Sequence, residues 1–208
     1  MLKIYEYKGY PNPTRIRIAL AEKGLTEKVQ FIAVDVPAGE HKRPAFLARN
    51  PAGAVPVLEL EDGVHIAECT AITEYLDNLV GETTLTGKGA RDRALIHMMQ
   101  RRAESGLLDA IATYFHQATP GFGPDIESYQ NREWGEENRR RALASMRYLD
   151  QVLEKQPYLA GDRFTMADIT AFAGLLYADF VKIEVGADLK NLKAWRSRVI
   201  QRPSVAQA

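Results

Sequence analysis

Strand-like alternation of apolar residues is confined to the part of this 208-residue chain before residue 90, and that limit constrains the fold more than any single motif. Before it, short segments alternate apolar and polar residues as half-buried strands do. From Ala90 onward no segment alternates, and apolar residues recur every three or four positions. A chain of this length holds two small domains, so an α/β domain followed by an all-helical one is expected.

The α/β part can be laid out from its turn signals. Leu2-Lys3-Ile4-Tyr5 alternates as a strand, and the run Gly9-Tyr10-Pro11-Asn12-Pro13 breaks it. Asn12 suits an N-cap and Pro13 a first helical position, and Ile16, Ala19, Leu20 and Lys23 keep helical spacing until Gly24 stops them. Val29 to Val34 is a second strand, and strand, helix and strand imply a parallel pair with a right-handed crossover. A short helical turn follows Pro44. Val55 to Leu60 and Val64 to Ile66, joined at Asp62-Gly63, form a hairpin. Ala71, Ile72, Tyr75, Leu76 and Leu79 then make a helix, giving the order βαβ-α-ββα. The stretch from Gly81 to Gly89 reads as a linker between domains at 1–80 and 90–208. In the second domain three stripes stand out: Ile96, Met99, Ala103 and Leu107; Ala142, Met146, Leu149 and Leu153; Ile169, Phe172, Ala173 and Leu176.

Lys plus Arg equals Asp plus Glu at 27 each, so no overall field favours nucleic acid or an acidic membrane surface. One cysteine, Cys69, excludes an internal disulfide, a CxxC redox pair and a multi-cysteine zinc site, as expected of a reducing cytoplasm. No segment has the basic start and apolar run of a leader, and none approaches the ~18 apolar residues that span a bilayer. A cytoplasmic protein without membrane or nucleic-acid partners is expected. His41, His65, His97 and His116 lack the i, i+4 pairing of a helical metal motif, so no metal site is expected.

Three segments in order, PNPTRIRIALAEKG (11–24), NPAGAVPVL (50–58) and IAECTAITEYL (66–76), together with LAGDRFTMAD (159–168), resemble the cytosolic glutathione S-transferase superfamily over essentially the whole chain. The runs at Gly39 to Lys42 and YFHQATPGFG (114–123) resemble its atypical fungal and bacterial branch. The resemblance implies a thioredoxin-like glutathione-binding domain and a helical domain that shapes the pocket for a second substrate. It also implies a homodimer, with which the apolar stripe of the first bundle helix is compatible.

Each segment also has a physical reading. A proline in the Val55-Pro56 pair cannot donate to a ladder and belongs at a strand's start. The resemblance implies a cis bond there, leaving the Val55 backbone to pair with the cysteinyl part of glutathione. Glu68-Cys69-Thr70 opens a helix, so the N–H groups of Cys69 and Thr70 suit a carboxylate and Glu68 suits an ammonium, the two charges of a γ-glutamyl end. The family usually has serine where Cys69 stands, which weakens the hydroxyl contact and keeps the backbone one. His41 and Lys42 are either a solvated basic loop or the partners of the glycine carboxylate, with Asn50 a weaker candidate. The family often has lysine where Ala54 stands.

The thiolate is the nucleophile, and lowering a thiol pKa of about 8.5 by two units takes roughly 2.7 kcal/mol of preference for the anion. The catalytic candidates are Tyr10 first and Asn12 second. Tyr10 either donates its O–H to the sulfur or only walls the pocket while backbone amides or a bound water act; tyrosine-using classes place theirs nearer Tyr7. For the electrophile, an apolar cleft between the domains is expected, with Tyr114, His116 and Trp134 on the helical side. Thr165 and Asp168 form a capping box, a folding element and not a site.

The expected activity is a detoxifying transferase in which the thiolate of glutathione, a co-substrate with no further cofactor, attacks a hydrophobic electrophile or a peroxide. Two other readings stand beside it: a glutathione-dependent isomerase or dehalogenase, and a non-catalytic binding or assembly module. A module has no need of Val55-Pro56 or Glu68.

Overall fold

Strand β1 (Leu2–Glu6) lies inside a four-stranded mixed sheet, flanked by β2 (Val29–Ala33) on one side and β3 (Val57–Glu59) on the other, with β4 (His65–Ile66) beyond β3. The computed structural model describes all residues, Met1–Ala208. β1 and β2 are parallel, with Ile4 opposite Phe31, so a crossover must join them, and helix α1 (Pro11–Glu22) supplies it. β1 and β3 are antiparallel, with Ile4 opposite Leu58, and β3 pairs antiparallel with β4 through the Asp62-Gly63 turn.

After the short helix α2 (Pro44–Leu47) and the hairpin comes α3 (Cys69–Leu79); the two-residue period turns Leu2, Ile4 and Leu58 to one face, where Ile16 and Leu20 of α1 and Ile72 and Leu76 of α3 close the core. Burying each such side chain stabilises the unit by roughly 1.5–3 kcal/mol. Lys3 and Tyr5 face the other way, and both donate to the Glu59 carboxylate at 2.6 Å.

Helix α1 begins earlier than its sequence suggests. Tyr10 is the N-cap, Pro11 the first helical residue, and Asn12 lies inside the first turn without capping it. Prolines at positions 11 and 13 both fit, because the first N–H groups of a helix have no acceptor within it. Its end matches expectation. Gly24 has φ +63°, and Gly24 N–H and Leu25 N–H donate back to Ala21 and Leu20, a Schellman motif that a side chain at 24 would strain.

By its contacts the chain forms two units, Met1–Leu85 with Pro203–Ala208, and Thr86–Arg202. Residues 81–85, expected in the linker, join the first unit because the buried Asp77 accepts the N–H groups of Thr84 and Leu85 and pairs with Lys23 at 2.9 Å. The last residues, expected in the helical domain, return to the first unit: α9 (Pro203–Ala206) packs on α1, and Ser204 donates to Glu22.

The second unit contains α4 (Ala90–Ala103), a π-helical turn (Glu104–Leu108), α5 (Asp109–Ala118), α6 (Arg132–Lys155), α7 (Met166–Phe180) and α8 (Lys190–Val199). α7 is buried on nearly every side and forms the unit's centre. The apolar stripe of α4 faces this core, so it is not available to a partner subunit; Leu95 and Met98 are the large apolar residues α4 leaves exposed. Asp168, fully buried at the start of α7, accepts from Leu159 N–H, Thr165 N–H, Thr165 Oγ1 and Trp195 Nε1 at 2.9–3.1 Å. Burial raises its pKa to about 6 against the opposing pull of those donors. No helix is long and apolar enough to cross a membrane.

Candidate functional site

In the first unit the starts of α1 and α3 meet. Cys69, the first residue of α3, is buried and its Sγ lies 3.5 Å from the carbonyl oxygen of Asn12, a weak S–H donor contact. The loop that carries Tyr10 and Asn12 is thereby fastened to the turn that carries Glu68 and Thr70.

Tyr10 is half-buried, and its ring meets Tyr7 edge-on at 4.6 Å. Burial first, and Tyr7 second, push its pKa above 10, so the phenol keeps its proton at neutral pH and remains a donor. Because Pro11 and Pro13 have no N–H, Asn12 supplies the sole backbone N–H among the first three residues of α1. Its side chain is exposed, with Oδ1 accepting from Arg15 Nη1 at 2.9 Å.

Glu68 is the N-cap of α3 with φ 68° and ψ 121°, one of two non-glycine residues at positive φ. Such a conformation costs about 1–3 kcal/mol and persists where the surroundings fix it. The residue is exposed, and its carboxylate has no hydrogen-bond partner in the protein. Beside it, the N–H groups of Cys69 and Thr70 stand at the positive end of α3.

The Val55-Pro56 bond is cis, and neither the N–H nor the C=O of Val55 takes part in a protein hydrogen bond. This free extended edge runs directly into β3 and can receive an extended peptide as a further strand. Two side chains hold the loop before it. Asn50 donates to the Ala54 carbonyl at 2.8 Å, and Lys42 Nζ donates to Gly53 at 2.8 Å. Asn50 and Lys42 are thus spent partly on the shape of the loop. His41 is buried, and burial together with Lys42 lowers its pKa, so at pH 7 it is neutral and not the cation first expected. Its Nδ1 has no partner.

In the second unit α5 and α6 enclose an open groove of about 460 Å³ lined by Asp109, Ala112, Thr113, His116, Gln117 and Trp134. The helical period of α5 brings five of these to one face, and Trp134 of α6 completes the lining. Tyr114 is not in this lining. His116 Nδ1 lies 2.7 Å from Glu127 Oε1, which also accepts Phe122 N–H. A carboxylate there selects the Nδ1–H tautomer and leaves Nε2 as the acceptor. Gly121, at φ +54°, is required by this arrangement, since a Cβ would fall 2.3 Å from Glu127 Oε1. Glu127 went unrecognised in the sequence; its one signal is an acidic residue just after the Gly-Phe-Gly-Pro break. Arg15 went unrecognised as well, although an arginine interrupting the apolar face of α1 marks it.

Comparison with known proteins supplies the family. The family model for the glutathione S-transferase N-terminal domain matches residues 11–79, and that for the C-terminal domain matches 107–203. Glutathione S-transferase 2 of Saccharomyces cerevisiae is 55% identical over 97% of this chain and 87% of its own length. The crystal structure of Gtt2 from Saccharomyces cerevisiae superposes with a TM-score of 0.97 at 55% identity over 98% of each chain. A glutathione S-transferase domain-containing protein of Marinobacter aquaeolei gives 0.96 at 54% over 98% of this chain and 99% of that one. A more distant relative, maleylacetoacetate isomerase of Pseudomonas aeruginosa, is 31% identical over 81% of this chain and 77% of its own length. With a thioredoxin-like sheet, a cis-proline edge and an acidic residue at the N-cap position of α3 in one unit and a helical second unit, this chain belongs to the glutathione S-transferase family.

Proposed function

We propose that the chain is a cytoplasmic, detoxifying glutathione transferase that binds glutathione along the cis-proline edge and ionises its thiol at the start of α1. The observation that carries this reading is the unpaired Val55 edge standing with the strained, unpaired Glu68 in one unit. The cysteinyl backbone pairs with Val55 at Pro56. The γ-glutamyl ammonium meets Glu68, and its carboxylate meets the N–H groups of Cys69 and Thr70. Lys42 supplies the cation for the glycine carboxylate, and a neutral His41 serves as a hydrogen-bonding neighbour. Glutathione is a co-substrate, and no cofactor or metal is assigned.

Tyr10 is the first donor to the thiolate and Asn12 the second. A hydrogen bond to an anion contributes about 1.5–3 kcal/mol, so one or two such bonds meet the roughly 2.7 kcal/mol needed for a two-unit fall in thiol pKa. His116 and Trp134 in their groove, with Tyr114, are assigned to a small hydrophobic electrophile. The exposed Leu95 and Met98 favour a homodimer. A second reading, a glutathione-dependent isomerase, is favoured by the isomerase relative and uses the same thiolate on a different substrate.

A calorimetric titration with glutathione, followed by conjugation of a chloronitrobenzene acceptor, tests the proposal. Binding with turnover supports the transferase. Binding without it directs the search to an isomerisable or more specialised substrate, and absence of binding leaves the non-catalytic module.

A further inference from the structure

We infer that Arg15 is a positioning residue for thiol activation, acting through Asn12 by fixing which end of that residue's amide faces the bound sulfur. The inference rests on the proposed role of Asn12 as a thiolate donor.

Arg15 is only 4% exposed, which is rare for a charged side chain unless its donors are used. A guanidinium has five N–H groups and no acceptor, so the Asn12 atom lying 2.9 Å from Arg15 Nη1 has to be the carbonyl Oδ1. That contact settles the amide's orientation on chemical grounds. Without it, an exposed asparagine presents either end to a ligand, and an Oδ1 facing a thiolate repels it. With Oδ1 occupied, the amide presents its Nδ2 donors, which have no acceptor in the protein.

The backbone of the same residue is held from another side, since its carbonyl oxygen receives the Cys69 thiol at 3.5 Å. Pro11 and Pro13 remove the neighbouring N–H groups. The first turn of α1 therefore depends on Asn12 for its side-chain and backbone donors, and Arg15 sets the side-chain one. No other side chain bonds that amide.

The test is a double-mutant cycle read by thiolate absorbance titration of enzyme-bound glutathione. Asn12→Ala should raise the thiol pKa by about one unit, the size of one hydrogen bond to an anion. Arg15→Met should raise it comparably in the wild-type background and not at all in the Asn12→Ala background. Turnover near pH 6.5 should fall and recover at alkaline pH, a dependence that a purely structural role does not produce. Arg15→Gln, whose amide both donates and accepts and so leaves the Asn12 amide free to take either orientation, serves where Arg15→Met does not fold, with the same expectation. An equal rise from the Arg15 variant in both backgrounds, or no rise while Asn12→Ala gives one, overturns the inference. If Asn12→Ala itself leaves the pKa unchanged, the assignment of Asn12 as a donor fails first, and the single variant identifies that failure.

Discussion

Glu68→Gly and Glu68→Ala remove the same carboxylate but treat the backbone differently, and together they separate strain from binding. At φ 68° and ψ 121° the native residue sits where a Cβ is unwelcome, at a cost of about 1–3 kcal/mol. Alanine keeps that cost and glycine removes it, while glycine also adds about 0.4–1 kcal/mol of unfolded-state entropy. The glycine variant should therefore be the more stable of the two by about 1 kcal/mol, or roughly 2–4 °C in melting temperature for a chain of this size. Both variants should lose glutathione affinity alike. An exposed charge-assisted contact belongs at the weak end of its range, so the expected loss is about tenfold in Kd. Scanning calorimetry gives the first quantity and titration calorimetry the second. An alanine variant as stable as the glycine one would refute the strain argument. An unchanged Kd in both would refute the ammonium contact.

Tyr10→Phe should raise the pKa of bound glutathione's thiol; a thiolate titration identical to wild type would remove Tyr10 from the catalytic group. Cys69→Ser places a stronger donor and acceptor at the start of α3 and should tighten glutathione binding severalfold by calorimetry, whereas weaker binding would show that packing of the buried sulfur dominates. Asp168→Ala orphans the buried N–H groups of Leu159, Thr165 and Trp195, so it should destabilise the fold by roughly 3 kcal/mol or more in urea unfolding. The folded pKa of Asp168, about 6, lies above its ordinary 3.8, so the folded state holds a proton there that the unfolded state releases. Its stabilising contribution is therefore full below about pH 4 and is lost as pH rises through about 6. Relative to Asp168→Asn, which cannot titrate, wild-type stability should fall across that window, and a flat difference would contradict the raised pKa.

Much of the fold is written in local spacing. The strands, the hairpin at Asp62-Gly63, the stop at Gly24 and the Thr165-Asp168 box each depend on residues a few positions apart, so the chain's own order carries them. Boundaries were less legible where distant groups decide them. Residues 81–85 join the first unit because Asp77 captures Thr84 and Leu85, and the last helix returns to α1, facts that no window of neighbours contains. The site divides the same way. Val55-Pro56 and Glu68-Cys69-Thr70 stand out as candidates because they fall in contiguous segments that carry the family resemblance. The neutrality of His41, the loss of the α4 stripe to the core, the Glu127 partner of His116 and the Arg15 grip on Asn12 depend on burial and on angles around a helix. Those are settled only when the chain is packed, since a side chain's charge and the direction of its donors follow from what surrounds it.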